Sequence, residues 1–433
     1  MRERLPRPLR GLAMTTIVAL LTTSYPQPIP AWAFEQPPKV SLDQLLEELR
    51  RVNPDLLAAR KRWEAAQARI PLSRGLPAPK IGVEFEEIPR GTVKINQATA
   101  MYQFLQALPF PGKISLRHQV AVKDAQIAGM LFKQREWEMV SELKSAYYSL
   151  YQADRELEIE REKQLWLRQA AGAAESRYSI GKTSQADLLR AQSELLASAN
   201  QVQVLTHRRQ ALEAHLNHLL NRSPSISIGL PADILLTPVP ASPEELLKTA
   251  SENQPELLVF QFSAERAESA WKLAKRELFP DFETMLELRD PAMGPIGPWD
   301  FSLALVLPFW FWTKQRYGVR VALYDKESAQ AAYQAMRSEI ARRIHERWHE
   351  ASAAYDTAKL CQEGLVPLAR QAVASSLTAY QAGGSSFMDL LGALENLSEK
   401  ERTYYQHLAQ LEQQMAMLEQ AVGVPLGRRM QVK

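Results

Sequence analysis

The chain has 433 residues, of which 46% are hydrophobic and 23% charged, with a formal net charge of +3. Its single cysteine, Cys361, excludes an internal disulfide and a cysteine-built zinc site, and so small a positive surplus argues against a nucleic-acid partner. The 27 prolines are unevenly spread, and their spacing marks the elements that follow.

Residues 1–33 read as a signal peptide. Arg2, Arg4, Arg7 and Arg10 form a basic start, Leu12 to Leu21 an apolar core too short to span a bilayer, and Ala31-Trp32-Ala33 a small-x-small cleavage site. Cleavage would remove four arginines and one glutamate and bring the formal charge to about zero, with no cysteine at the new N-terminus to carry a lipid.

The remainder is written twice. "SLDQLLEELRRVNPDLL" at 41–57 aligns with "SPEELLKTASENQPELL" at 242–258, 201 residues on, and Lys113 aligns with Lys314 at the same offset. "RYSIGKTSQADLLRAQSEL" at 177–195 aligns with "AYQAGGSSFMDLLGALENL" at 379–397, now 202 residues on. Such a period is a duplicated domain-sized unit rather than a solenoid. The first repeat is placed at 34–221, a proline-rich linker at 222–243, the second repeat at 244–425 and a short basic tail at 426–433.

In the first repeat an opening helix is expected over 41–76, with Ser41 as its N-cap. Strands follow at about 80–90 and 98–108, then a very long helix at about 113–180 and another at 184–221. No proline occurs from Gly112 to Ser223. In the last of these helices Leu188, Leu195, Val202 and Leu216 share one heptad position, and Ala191, Leu205, Leu212 and Leu219 another, as in a left-handed coiled coil. The second repeat is expected to carry strands at about 281–289 and 299–308 and a long helix at about 315–381, kinked at Pro367.

The strand segments alternate. Ile81, Val83 and Phe85 stand against Glu84 and Glu86, and Phe282, Leu286 and Leu288 against Asp281, Glu283 and Glu287. Their length suits a tilted crossing of an outer membrane, but four strands cannot close a barrel, so several chains would have to pool them. The alternative is a soluble four-stranded sheet packed on the helices. At the strand–helix corners, Pro109, Pro111, Gly112 and Pro308 end the ladders, and Trp310, Phe311 and Trp312 belong either to a membrane–water boundary or to a buried aromatic cluster.

This duplicated strand–strand–helix plan resembles the TolC-like outer-membrane efflux protein family. The resemblance rests on "LPFPGK" (108–113), "RYSIGKTSQADLL" and "PFWFWTKQR", and is closest to the outer-membrane component of cobalt–zinc–cadmium type metal exporters. It implies a mainly α fold in which three copies share a twelve-stranded β-barrel continuous with a coiled-coil α-barrel through the periplasm. It also implies a periplasmic adaptor and an inner-membrane pump of the resistance–nodulation–division type as partners. Tyr178, Gly181, Lys182, Tyr380, Gly383 and Gly384 would form the adaptor-contacting tips, and Asp389 with its repeat-one counterpart Asp187 the periplasmic aperture. Gly392 stands where some relatives carry a second acid. Both aspartates also read simply as helix N-terminal acids, and Glu84, Glu86, Asp281, Glu283 and Glu287 as the wet face of a porin-like strand or as cation-attracting lumen acids.

The pairs His345/His349 and His215/His218 each share a helix face, without the carboxylates or cysteine that a metal site would add, and no cofactor is implied. No phosphate loop or nucleophile elbow points to an enzyme. The expected function is a passive exit duct, exporting divalent heavy-metal ions on the closest resemblance. Drugs or secreted polypeptides are the alternative cargo, and a periplasmic coiled-coil adaptor is the alternative class.

Overall fold

The computed structural model describes residues 39–86, 99–181, 183–239, 242–289 and 298–426. The signal peptide, the tail beyond Leu426, Lys182 and the ends of the first two expected strands at 87–90 and 98 lie outside the described residues.

The expected opening helix is two helices, α1 (Leu42–Val52) and α2 (Pro54–Leu72). Pro54 disfavours a helical conformation at the residue before it, and Asn53 is extended there, its side chain accepting the amides of Asp55 and Leu56 as a cap. Ser41, expected as a cap, has the right backbone but makes no side-chain cap bond. After β1 (Lys80–Glu86) and β2 (Thr99–Leu108) comes α3 (Lys113–Ser179), whose 67 residues span about 100 Å. It is followed by α4 (Gln185–Leu219). The second half repeats the order in α5 (Pro243–Asn253), α6 (Pro255–Arg276), β3 (Asp281–Arg289) and β4 (Trp299–Val306). There β4 ends two residues short of the expected boundary, since Pro308 has no N–H for a ladder.

A π-helical turn (Phe311–Gln315) leads into α7 (Arg316–Leu360). A second π-helical turn (Cys361–Leu365) joins α7 to α8 (Val366–Ala382), and α9 (Phe387–Val422) ends the fold. The helix around Pro367 is therefore interrupted just before the proline. A π-turn holds one residue more than an α-turn closed by the usual bond, which also accounts for the repeat offset. The offset is 201 between α1 and α5 and 202 between α4 and α9, and the extra residue falls on the stretch that contains this turn.

The four strands form one antiparallel sheet in chain order, so β1 and β4 are its open edges. The helices lie in series beside the two long ones. Both α6 and α9 pack between α3 and α7, whereas α2 and α4 pack on α3 without substantial contact to α7. Burial is strung out rather than central. One cluster joins α1, α3 and the end of α4 around Leu49, Leu143, Leu150 and Leu216, a second fills the hairpin tips, and a third lies among α5, α6, α7 and α9.

The linker is fastened as a strap across this middle. Val40 pairs with the chain at Pro231 and Leu230, Tyr147 donates to the Val40 carbonyl and accepts the Ala232 amide, both at 2.9 Å, and Glu213 accepts the Ile228 amide at 2.8 Å. Asp233 is held by Lys39 and Arg155.

The end of α9 is locked against the α5–α6 junction by Gly423, whose φ is +80° and where a Cβ would lie 2.7 Å from the Asn253 carbonyl. A Gly423→Ala substitution is expected to cost about 2–4 kcal/mol through left-handed strain plus steric overlap, read as a lower melting temperature by circular dichroism in detergent.

Candidate functional site

Two regions of the chain bring function-bearing residues together: the hairpin tips at one end and the sheet with its corners at the other.

At the tips, α3 closes through Gly181 (φ +70°) and α8 through Gly383 (φ +83°), with the Gly384 amide donating to the Ala379 carbonyl at 2.8 Å in a Schellman-type cap. The two hairpins are joined by Arg177, which donates to the Tyr380 carbonyl at 2.7 Å and lies 4.9 Å over the Tyr380 ring. That ring is buried and meets Phe387 edge-on at 6.1 Å, and its hydroxyl has no hydrogen-bond partner among the described residues. Leu167, Ala174, Ala191 and Leu390 complete the packing beneath it, while Tyr178, Ile180 and Met388 stand exposed. Among the expected tip residues, Tyr178 and the three glycines lie on the turn surface and Tyr380 lies inside.

Asp187 and Asp389 occupy equivalent first turns. Asp389 accepts the Ser386 amide at 3.0 Å and its hydroxyl at 2.8 Å, while its own amide donates to Ser386 Oγ, a complete capping box. Asp187 accepts from Thr183 Oγ1 at 2.9 Å, and its amide donates to Ser184 Oγ. The Ser386 backbone and hydroxyl hold the Asp389 carboxyl below the ordinary range, and Thr183 and then Ser184 do the same for Asp187. At Gly392 a side chain would meet open space.

At the other end, the register sorts the strand residues. Ile81, Val83, Phe85, Tyr102, Phe104, Leu286, Leu288, Phe301, Leu303 and Leu305 share one face, all exposed. Lys80, Glu84, Glu86, Gln103, Asp281, Glu283, Glu287, Arg289 and Asp300 share the other. Gln103 bridges Glu84 and Glu287, the latter at 2.8 Å, and Arg289 pairs with Asp300 at 3.2 Å. An apolar outside against a charged inside suits a wall between hydrocarbon and water.

Asp281 has a further task at the base of β3. Its Oδ1 accepts the Phe110 amide and the buried Lys113 ammonium, each at 2.7 Å, and Lys113 also donates to the Phe279 carbonyl at 3.0 Å. Gly112 takes φ +94° to make the turn after Pro111, and Phe110 stacks on Phe279 at 4.8 Å. Alternation places Asp281 among the acids, but its corner role has no periodic signal. Nor does Arg177, whose counterpart at 379 is alanine. Near Pro308, Phe309 and Trp310 are exposed.

His215 lies 3.7 Å from Glu142, His349 meets Trp348 edge-on, and among the described residues no group of three His, Cys, Asp or Glu side chains is placed to hold a metal.

Comparison with known proteins gives one family match, to the profile described as outer membrane efflux protein, over residues 45–222 and 246–424. The cobalt-zinc-cadmium resistance protein CzcC of Cupriavidus metallidurans is 22% identical over 400 residues, covering 91% of this chain and 93% of that protein. Among solved structures, the outer membrane protein VceC of Vibrio cholerae is similar with a TM-score of 0.76 at 17% identity, over 89% of this chain and 97% of that one. A structure of CusC, described in terms of transmembrane channel formation, is similar with a TM-score of 0.75 at 15% identity, over 93% and 99%.

Because the folded-state pKa of Asp389 is lowered, its capping contribution is complete above the ordinary aspartate range and is lost only as pH falls below about 4. Amide exchange of Phe387–Leu391, corrected for intrinsic rate, is expected to be unchanged between pH 7 and 5, and to accelerate in Asp389→Asn at both.

Proposed function

The chain belongs to the outer membrane efflux protein family, and from that premise we propose that three copies join edge to edge into one barrel that serves as the exit duct of a metal-exporting tripartite system. The observation that carries this reading is the pair of open sheet edges. With an apolar face turned outward, the free N–H and C=O groups of β1 and β4 have no water to turn to in hydrocarbon, and pairing β4 of one copy with β1 of the next satisfies both rows.

The helices ask for the same neighbour. Leu391 and Ser398 of α9 are 7% and 6% exposed between the two long helices, while their counterparts in α4, Leu189 and Leu196, are 56% and 73% exposed. A second copy's α7 laid against α4, as α7 lies against α9 within the chain, would cover them. Three copies are favoured because the family resemblance implies a twelve-stranded barrel, wide enough for a water-filled lumen. The periplasmic adaptor would engage the exposed tip residues Tyr178, Gly181, Gly383 and Gly384, with Lys182 next to them in sequence, braced from beneath by Tyr380. An inner-membrane pump would supply the energy. The three Asp389 residues, and with them Asp187, would ring the aperture. Glu84, Glu86, Glu283 and Glu287 would line the barrel, and Asp281 would brace its rim.

Divalent metal cargo is supported by the likeness to the cobalt-zinc-cadmium resistance protein. A duct need not hold its cargo tightly, so selectivity would lie largely in the pump.

The repeat fixes the register to be tested. Gln103 faces Glu287 within the chain, and carrying both by 201 residues sets Ala304 opposite Glu86 of the next copy. In a Cys361→Ser background, Ala304→Cys with Glu86→Cys is expected to give disulfide-linked dimers and trimers in outer-membrane fractions, and either variant alone none. Absence of the ladder would sink the edge-to-edge reading. Deletion of the gene is expected to raise cellular zinc, cobalt or cadmium. Sensitivity to dyes and detergents with unchanged metal content would leave the duct and remove the metal.

A further inference from the structure

Two side chains on the helices stand close together without bonding. His215 of α4 and Glu142 of α3 are both exposed, with 3.7 Å between Nε2 and Oε1. That is too long for a hydrogen bond. It is close to the spacing of about 3.4 Å between two ligands of one tetrahedral zinc, each about 2.1 Å from the metal. His218, exposed three residues further on, shares their face of α4. Glu142 is the carboxylate that the local histidine spacing lacks, and it comes from another helix.

The repeat names what stands opposite. In the ring of copies proposed above, on which this inference rests, α7 of one copy lies against α4 of the next as α3 lies against α9 within the chain. His215 holds in α4 the place that Met417 holds in α9, 202 residues on. Glu142 holds in α3 the place of Arg343 in α7, 201 residues on. Met417 and Arg343 line one cleft, just as His215 and Glu142 stand together, so the two halves agree here. Ser145 of α3 lines the same cleft from the other side. Its counterpart in α7, 201 residues on, is Glu346. The neighbouring copy therefore brings a carboxylate to the open side of His215.

The charges around that place leave room for a cation. Arg342 donates to Glu346 Oε2 at 2.6 Å, and Glu346 Oε1 has no partner among the described residues. The other charged groups that the repeat carries to the cleft are engaged within their own chains. Glu339 accepts from Arg342 and Arg343, Arg343 also reaches Glu256 at 2.9 Å, and Asp55 is held by Arg135.

We infer that each seam between copies binds a divalent cation of the zinc type, through His215 Nε2 and Glu142 Oε1 of one copy and Glu346 Oε1 of the next, with His218 as fourth ligand. Imidazole and carboxylate together suit zinc, whereas magnesium and calcium take oxygen alone. Held by both copies, such an ion is a staple of the assembly, distinct from cargo in passage.

The test uses the full-length protein in detergent, stripped with a chelator and titrated with zinc chloride alone. Retained zinc is read by native mass spectrometry, and oligomer melting is followed in parallel. Wild type is expected to retain about one zinc per seam and to melt higher as zinc is added. His215→Ala, Glu142→Gln and Glu346→Gln should each weaken retention more than about tenfold, since even an outer-shell partner is worth that much. His345→Gln with His349→Gln, in the other histidine pair, should leave retention unchanged. Retention unaltered by Glu346→Gln, or equally tight on monomeric chains, would overturn a site shared between copies. An oligomer indifferent to zinc would overturn the metal and leave the duct intact. A wild-type chain that stays monomeric with and without zinc would overturn the ring of copies, and this site with it. Should the variants fail to assemble, X-ray absorption at the zinc edge of the wild-type oligomer decides. A shell that includes imidazole is expected there, and one without it would overturn the site.

Discussion

A backbone amide or carbonyl left without a partner in hydrocarbon costs several kcal/mol, and a four-stranded sheet has two rows of them. Much of this chain is arranged around that constraint. It puts apolar side chains on one sheet face and charged ones on the other, and leaves β1 and β4 bare in the isolated copy. It also makes the corners demanding. A strand that leaves the sheet must become a helix within a few residues, and Lys113 with Asp281 holds that change of direction by binding the first helix to the next hairpin. In the proposed assembly the long helices would inherit the consequence, since a ring of strands would set where each of them starts.

Much of the fold was legible in the sequence because it follows from periodicity and from residues without alternatives. The absence of proline from Gly112 to Ser223 marks α3, the heptad of Leu188, Leu195 and Val202 marks α4, and alternation around Phe85 and Leu286 sets the faces of β1 and β3. Three features were not legible. The break at Asn53 needed the conformational effect of Pro54 to outweigh a continuous helical pattern. The ordering of the linker depends on single side chains, Tyr147 and Glu213, that belong to helices far away in sequence. The third is Asp281, which looks like one acid among several until tertiary contact gives it Phe110 and Lys113.

The tips obey a different economy. Asp187 and Asp389 are both occupied by the hydroxyls and amides of their own first turns, so their charge is fixed in position whatever else approaches. Glycines set the path of both turns, and Arg177 ties one hairpin to the cap of the other through Tyr380. The surface offered by the tips therefore combines glycine-set backbone with the exposed side chains of Tyr178, Ile180 and Met388. Below them the packing is thin, with small residues such as Ala170, Ala174 and Ala191 letting helices approach closely.

The π-turn at Cys361–Leu365 bears on how such a chain can change over generations. One residue added to an α-helix turns everything beyond it by about 100° about the helix axis. The π-turn takes up that residue, so the tip of the second hairpin keeps its facing. The two halves of the coding sequence are therefore in phase with each other by one count before the turn and by another after it. Recombination between the halves that joined a segment upstream of the turn to one downstream would gain or lose a residue relative to the helix it completes, and rotate a buried stripe into solvent. Such a turn would act as a barrier to exchange between the repeats, and would let their tips diverge while the strands still share one register.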